Sequence, residues 1–132
     1  PNVFVSAGIG VATSYPGQVV QAALSGALSP VASEPLLTEY LRVLRRPRFA
    51  ERLARAGRAP EVLVASFRDV STRIRPAASD EAAPDPNDQH LWDLLLAVPD
   101  AILVTGDRLL LENPPEGREV LSPRAFVERY LR

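Results

Sequence analysis

The segment Ala101-Ile102-Leu103-Val104-Thr105-Gly106-Asp107 carries the clearest signal for the fold of this chain. Its first four residues form an unbroken apolar run with the length of a buried strand. Such a run, in place of an alternating one, is typical of a parallel sheet that is covered on both faces. The polar turn Thr105-Gly106-Asp107 follows at once, so the predicted strand ends at Val104.

Short apolar runs of this kind alternate along the chain with segments of helical spacing. Strands are predicted at 3–5, 30–32, 72–75, 101–104 and 119–121. Helices are predicted at 17–28, after Ser33, within 45–58, at 59–70, at 88–97 and from Ser122 to Leu131. The alternation predicts an α/β fold in one domain over residues 1–132, with 3–5 and 101–104 inside a mostly parallel central sheet of four or five strands. Helices on both faces of that sheet would make it a three-layer sandwich.

Composition excludes several classes of protein. Apolar residues make up 46 % and charged residues 23 %, as in an ordinary globular protein, and no apolar run approaches the roughly 18 residues of a membrane span. The start lacks the features of a signal peptide, so a cytoplasmic location is expected. The absence of cysteine excludes disulfides and thiolate metal sites. All 15 basic residues are arginine, and without lysine there is no Schiff-base chemistry, no Walker A loop and no receiver domain.

Acidic and amide side chains cluster near one end of the predicted sheet. In open α/β sheets, sites form beyond the carboxyl ends of the strands. Four separate segments bring a carboxylate or an amide toward this end: Asn2, Glu39, the pair Asp85 and Asp88, and Asp107. Hard cations such as Mg²⁺ or Mn²⁺ prefer oxygen ligands and offset the repulsion among carboxylates. We therefore expect the carboxylates of Glu39, Asp88 and Asp107 to lie within about 8 Å of one another.

Each of these acidic residues also has an interpretation without catalysis. Asp85 and Asp88 could cap the helix that follows them. Glu39 could form an ion pair with Arg42, three residues further along the helix. Asp107 could be an ordinary turn residue after a glycine.

Asn2 and His90 have similarly plain alternatives. Asn2 could be a polar residue near the chain start with no role. His90 is the only histidine, and one histidine makes neither a catalytic triad nor a zinc site, so a structural role is expected for it.

Four ordered segments of this chain resemble the motifs of PIN domains. They are 2–7 (NVFVSA), 33–44 (SEPLLTEYLRVL), 85–91 (DPNDQHL) and 103–107 (LVTGD). The sequence most resembles the VapC-like toxin components of toxin–antitoxin systems. That resemblance implies an endoribonuclease that cleaves RNA phosphodiester bonds with Mg²⁺ or Mn²⁺, with a cognate antitoxin as partner. A homodimer is a further expectation.

The resemblance also implies roles for individual residues. Glu39, Asp88 and Asp107 would be the catalytic metal ligands or would orient the attacking water. Supporting residues would be Asn2, Ser6, Asp85 and Thr105.

The sequence departs from the family pattern at two positions. The leading aspartate of the first motif would fall one place before Pro1, and the chain has no methionine, so we expect the gene product to extend before Pro1. Leu109 stands where the family often has a further acid.

A basic stretch follows the Glu39 motif. Between positions 42 and 58 the only acidic residue is Glu51, whereas seven residues are arginine: Arg42, Arg45, Arg46, Arg48, Arg52, Arg55 and Arg58. The first four are candidates to hold RNA phosphates, and the stretch could instead receive an acidic partner segment or be a plain solvated surface.

The rival to a nuclease is a PIN-fold module that has lost catalysis and acts through protein or RNA contacts. A phosphatase of the haloacid dehalogenase kind is excluded, since no Asp-x-Asp-x-Thr follows the first strand.

Overall fold

The protein is described by a computed structural model, which covers residues 15–132 in full and the backbone of residues 2–5. The strands are β1 (Asn2–Val5), β2 (Ser29–Ala32), β3 (Thr72–Arg73), β4 (Ile102–Val104) and β5 (Glu119–Leu121). The helices are α1 (Tyr15–Ser25), α2 (Glu34–Leu44), α3 (Pro47–Arg55), α4 (Pro60–Val70), α5 (Gln89–Ala97), α6 (Arg108–Glu112) and α7 (Pro123–Phe126). A 3₁₀ turn (Pro86–Asp88) precedes α5, and a π-helical segment (Val127–Leu131) continues α7.

The five strands form one sheet in the order β3-β2-β1-β4-β5, and all neighbouring strands are parallel. β1 therefore lies between β2 and β4, and β4 lies between β1 and β5. In the register of the central pair, Val5 is opposite Val104. The interior placement predicted for 3–5 and 101–104 is confirmed, and the fold is α/β.

Local capping residues set several helix ends. Ser33 Oγ accepts a hydrogen bond from the Leu36 backbone at 3.3 Å and so caps α2, as its sequence predicts. Ser122 Oγ accepts from Ala125 N at 3.1 Å and starts α7 in the same way. α1 ends earlier than predicted because Gly26 follows it with φ of 84°, a left-handed conformation that suits a glycine and ends a helix.

Helix α6 is the main element that the sequence did not predict. It has only five residues, which is too short for helical periodicity to be visible. Asp107 starts it, because Asp107 Oδ1 accepts a hydrogen bond from Leu109 N at 2.9 Å. Leu110 anchors it and is 1 % exposed.

A continuous apolar core holds these elements together. It includes strand residues such as Leu103 and Val104, which have no exposed surface, and the α5 residues Leu94 and Leu95. Trp92, also on α5, is 2 % exposed and is the largest side chain in this core. Because α5 packs on β4, the segment before α5 is held near the carboxyl end of the sheet.

Two ion pairs and an aromatic contact fix α2 against the rest of the chain. Glu34 and Arg68 form a two-pronged ion pair at 2.7 and 2.8 Å, and Arg45 contacts Glu61 at 2.8 Å. The rings of Tyr40 and Phe67 meet edge-to-face with centroids 5.2 Å apart. Exposed ion pairs contribute little stability each, so the buried aromatic contact is the stronger restraint on the helix that carries Glu39.

None of the helices in the described ranges has the length and apolar character needed to cross a bilayer.

Candidate active site

The strand order reverses between β1 and β4, and such a switch point is where open α/β sheets form binding crevices. The chain leaves β4 through Thr105, which is 3 % exposed. Thr105 Oγ1 accepts a hydrogen bond from Asp107 N at 3.1 Å. This bond turns the chain, and Asp107 then caps α6 in an exposed position at the end of the sheet. Thr105 thus orients the loop that carries Asp107, and the turn interpretation of Asp107 is compatible with this geometry.

Asp85 and Asp88 have different surroundings, although they lie only three residues apart. Asp85 Oδ1 accepts a hydrogen bond from Asn87 N at 2.9 Å, so Asp85 caps the 3₁₀ turn, as the capping alternative predicts. Asp88 occupies the position before α5, but its side chain makes no capping hydrogen bond. The capping interpretation therefore explains Asp85 and does not explain Asp88.

The Asp88 carboxyl lies in an acidic environment. Partial burial is the largest cause that raises the pKa of Asp88, and the carboxylate of Asp107 is the next. Glu39 and Asp85 raise the pKa of Asp88 further, whereas His90 acts in the opposite direction. The fold thus brings Glu39 and Asp107 each close enough to Asp88 for their charges to affect it, although the three residues come from distant segments. That the three carboxylates lie within about 8 Å of one another stays a prediction.

Glu39 lies against His90 and not against Arg42. His90 Nε2 is 3.2 Å from Glu39 Oε2, and both side chains are about three-quarters buried, at 21 % and 25 % exposed. The contact lacks hydrogen-bond alignment, so Glu39 Oε2 is a buried oxygen with no hydrogen-bond partner among the described residues. His90 Nδ1 is likewise a buried atom with no hydrogen-bond partner among the described residues. The i, i+3 ion pair expected by the alternative interpretation of Glu39 is therefore not formed.

A pocket of about 590 Å³ adjoins Glu39. Its walls come from α2 and from the segment that enters α5, and they are lined by Glu34, Pro35, Thr38, Glu39, Arg42, Asn87 and His90. Thr38, Asn87 and His90 were not predicted as site residues. Their only signal in the sequence is adjacency, since each lies within two positions of Glu39 or Asp88.

The donor set suits a hard divalent cation. Glu39, Asp88 and Asp107 offer only oxygen ligands, and the charges of Glu39 and Asp107 contribute to the raised pKa of Asp88. Within the described ranges, however, no three His, Asp or Glu side chains are gathered tightly enough to hold one ion. Carboxylates repel at short range, so a cation would favour a closer approach than the protein alone does. Ser6 and the side chain of Asn2 lie outside the described residues.

The four candidate arginines differ in their contacts. Arg45 donates two hydrogen bonds to Glu61 Oε1, at 3.0 and 2.8 Å, and is partly neutralised. Arg42, Arg46 and Arg48 are exposed and form no ion pair within the described part of the chain. Arg42 also lines the pocket beside Glu39. Arg42 is therefore the best placed of the four to meet an anion near the carboxylates.

Comparison with known proteins agrees with the α/β fold. A family model described as PIN domain matches residues 1–109, and the chain therefore belongs to the PIN domain family. PIN domains are generally nucleases. Neither a search of curated proteins nor a search of solved structures found a match. The family match ends at Leu109, so it includes every candidate site residue.

Proposed function

We propose that the protein is an endoribonuclease that hydrolyses RNA phosphodiester bonds with Mg²⁺ or Mn²⁺, and that it is the toxin of a toxin–antitoxin pair. The proposal rests on the family match over residues 1–109, together with the partly buried carboxyl of Asp88, whose pKa is raised by burial and by the charges of Asp107 and Glu39. Perturbed carboxyl groups at a sheet switch point are typical of functional sites. Membership of a family of nucleases supports the same conclusion.

In this proposal Glu39, Asp88 and Asp107 hold the cation. Bound Mg²⁺ or Mn²⁺ would supply positive charge that stabilises the phosphoryl group during hydrolysis. Thr105 supports the site by fixing the loop of Asp107, and Asp85 does so by capping the turn before Asp88.

Asn2 and Ser6 complete the proposed site on the first motif. Both assignments rest on the resemblance of that motif, since the Asn2 side chain and Ser6 are not described.

Arginines next to the carboxylates would hold the RNA backbone. Arg42, Arg46 and Arg48 are exposed cations without an ion pair in the described ranges, and phosphate contacts of this kind dominate the affinity for nucleic acids. An acidic segment of an antitoxin would meet the same surface and compete with RNA for it.

The test compares Asp88→Asn with the parent, both expressed from the complete gene. The substitution removes one negative charge with little change in shape, so RNA cleavage with Mn²⁺ should fall by orders of magnitude. Asp69→Asn on the exposed face of α4 makes the same change of charge away from the site and should cleave like the parent. Parent-like cleavage by Asp88→Asn would contradict the catalytic role.

One observation favours the rival, a PIN-fold binding module with impaired catalysis. Leu109 stands where the family resemblance places a further acid, and its side chain is 45 % exposed beside Asp107. If the parent binds RNA but does not cleave it with Mg²⁺ or Mn²⁺, the binding module becomes the better description.

We also propose that residues 1–132 form one domain with helices on both faces of the sheet. The core supports this, because one cluster of buried residues runs from Val19 on α1 to Val127 near the chain end.

A further inference from the structure

The pocket beside Glu39 is lined by polar groups that are not among the proposed metal ligands, namely Thr38, Arg42, Asn87 and His90. One of its two acids is already engaged, because both Glu34 oxygens accept hydrogen bonds from Arg68, at 2.8 and 2.7 Å. Arg42 is the exposed lining cation, and no ion pair in the described ranges neutralises it. Arg42 therefore gives the pocket wall a group that attracts an anion.

The other lining groups are suited to a neutral polar ring. Asn87 offers an amide with donors and an acceptor, and Thr38 offers a hydroxyl. His90 presents an imidazole whose buried Nδ1 has no partner among the described residues. Amides read base edges in pairs of hydrogen bonds, and imidazole rings stack on unpaired bases.

The volume of about 590 Å³ is within the usual range for a small-molecule site, roughly 300–1,000 Å³. A pocket of this size can accept one nucleotide of single-stranded RNA, because the bases of such RNA can be turned outward.

We propose that this pocket holds one nucleotide of the RNA, with its phosphate on Arg42 and its base against Asn87 and His90. Asn87 and Thr38 then determine which base is preferred next to the cleaved bond. This inference rests on the proposed ribonuclease function, because Glu39 is shared between the pocket and the acidic group.

The first experiment measures binding of AMP, CMP, GMP and UMP to the full chain in EDTA, by NMR titration. The parent should bind all four saturably with unequal affinities. Arg42→Gln should weaken binding of all four by about tenfold, since a hydrogen bond to a charged group is lost. Asn87→Ala should bring the four affinities together, because it removes the group that distinguishes the bases.

Two matched variants serve as controls. Arg129→Gln makes the same change of charge in the π-helical segment near the chain end, where Arg129 contacts Glu119 at 2.9 Å. Gln21→Ala removes an exposed amide on α1. Both should bind nucleotides like the parent. The pocket assignment is overturned if the parent binds none of the four nucleotides, if Arg42→Gln or Asn87→Ala binds them like the parent, or if Arg129→Gln weakens binding as much as Arg42→Gln does.

The second experiment maps cleavage sites in a random-sequence RNA pool with Mn²⁺. Asn87→Ala should cleave with an altered base preference, and an unchanged preference would overturn the specificity role. A parent that binds nucleotides but cleaves no RNA would contradict the proposed function and leave the pocket assignment standing. A parent that cleaves RNA but binds no nucleotide in the pocket would contradict the pocket assignment and leave the proposed function standing.

Discussion

The imidazole of His90 lies against the carboxylate of Glu39, with Nε2 of His90 3.2 Å from Oε2 of Glu39. The two residues come from different helices, α5 and α2, and the contact joins the third motif of the sequence to the second. It leaves a buried carboxylate oxygen without a hydrogen bond from the described residues. A buried polar atom without a hydrogen bond costs stability, and unsatisfied polar groups of this kind are often found at functional sites.

Glu39→Gln should therefore separate stability from activity. The amide removes a negative charge that acts on Asp88, so thermal stability without metal should stay equal to that of the parent or rise. Mn²⁺ affinity, measured by electron paramagnetic resonance, and RNA cleavage should both fall, cleavage by orders of magnitude. Glu116→Gln, an exposed loop substitution, provides the control with the same change of charge. Parent-like Mn²⁺ binding in Glu39→Gln would remove Glu39 from the metal site.

The raised pKa of Asp88 predicts a pH-dependent difference between Asp88→Asn and the parent in EDTA. The folded parent holds the Asp88 proton more tightly than the unfolded chain does, whose pKa is near the ordinary value of 3.8. The parent therefore loses stability as the pH rises from that value through the raised pKa, and the asparagine variant does not. The stability of Asp88→Asn relative to the parent should grow between pH 3 and pH 7, as measured by thermal unfolding. A difference that is constant across this range would show that the pKa of Asp88 is not raised in the folded protein.

Asp107 has both a capping hydrogen bond and a charge, and two substitutions distinguish their effects. Asp107→Asn keeps a side-chain acceptor for Leu109 N and should retain stability, whereas Asp107→Ala should lose about 1 kcal/mol. Both variants should lose RNA cleavage, because both lose the carboxylate. Chemical denaturation and a cleavage assay on the same preparations give the two readouts. An active Asp107→Asn would mean that Asp107 acts only as a cap.

Tyr40 provides a prediction about stability alone. Burial is the largest cause that raises the pKa of its hydroxyl well above the ordinary value, and the hydroxyl has no hydrogen-bond partner within the described residues. Tyr40→Phe removes this unpaired polar atom and keeps the ring contact with Phe67, so it should stabilise the protein by about 1 kcal/mol. A loss of stability in urea denaturation would show that the hydroxyl has a partner in solution.

The sequence by itself determined the elements and the family. Apolar runs predict β1 and β4, and Ser33 and Ser122 predict the starts of two helices. These signals are visible in the sequence because strand burial and helix capping depend on residues only a few positions apart. The ordered motifs likewise indicated the PIN family, which the family model confirms. The α6 helix escaped prediction, since five residues are too few for a periodic signal.

Only the tertiary structure decided which polar groups meet. Asp85 and Asp88 look alike in the sequence, yet one caps a turn and the other lies among carboxylates, because burial and charge act through space. For the same reason the partner of Glu39 is His90 on a distant helix and not Arg42 on its own. The pocket beside Glu39 is likewise formed by two segments that are far apart in the sequence and that the parallel sheet brings to one end.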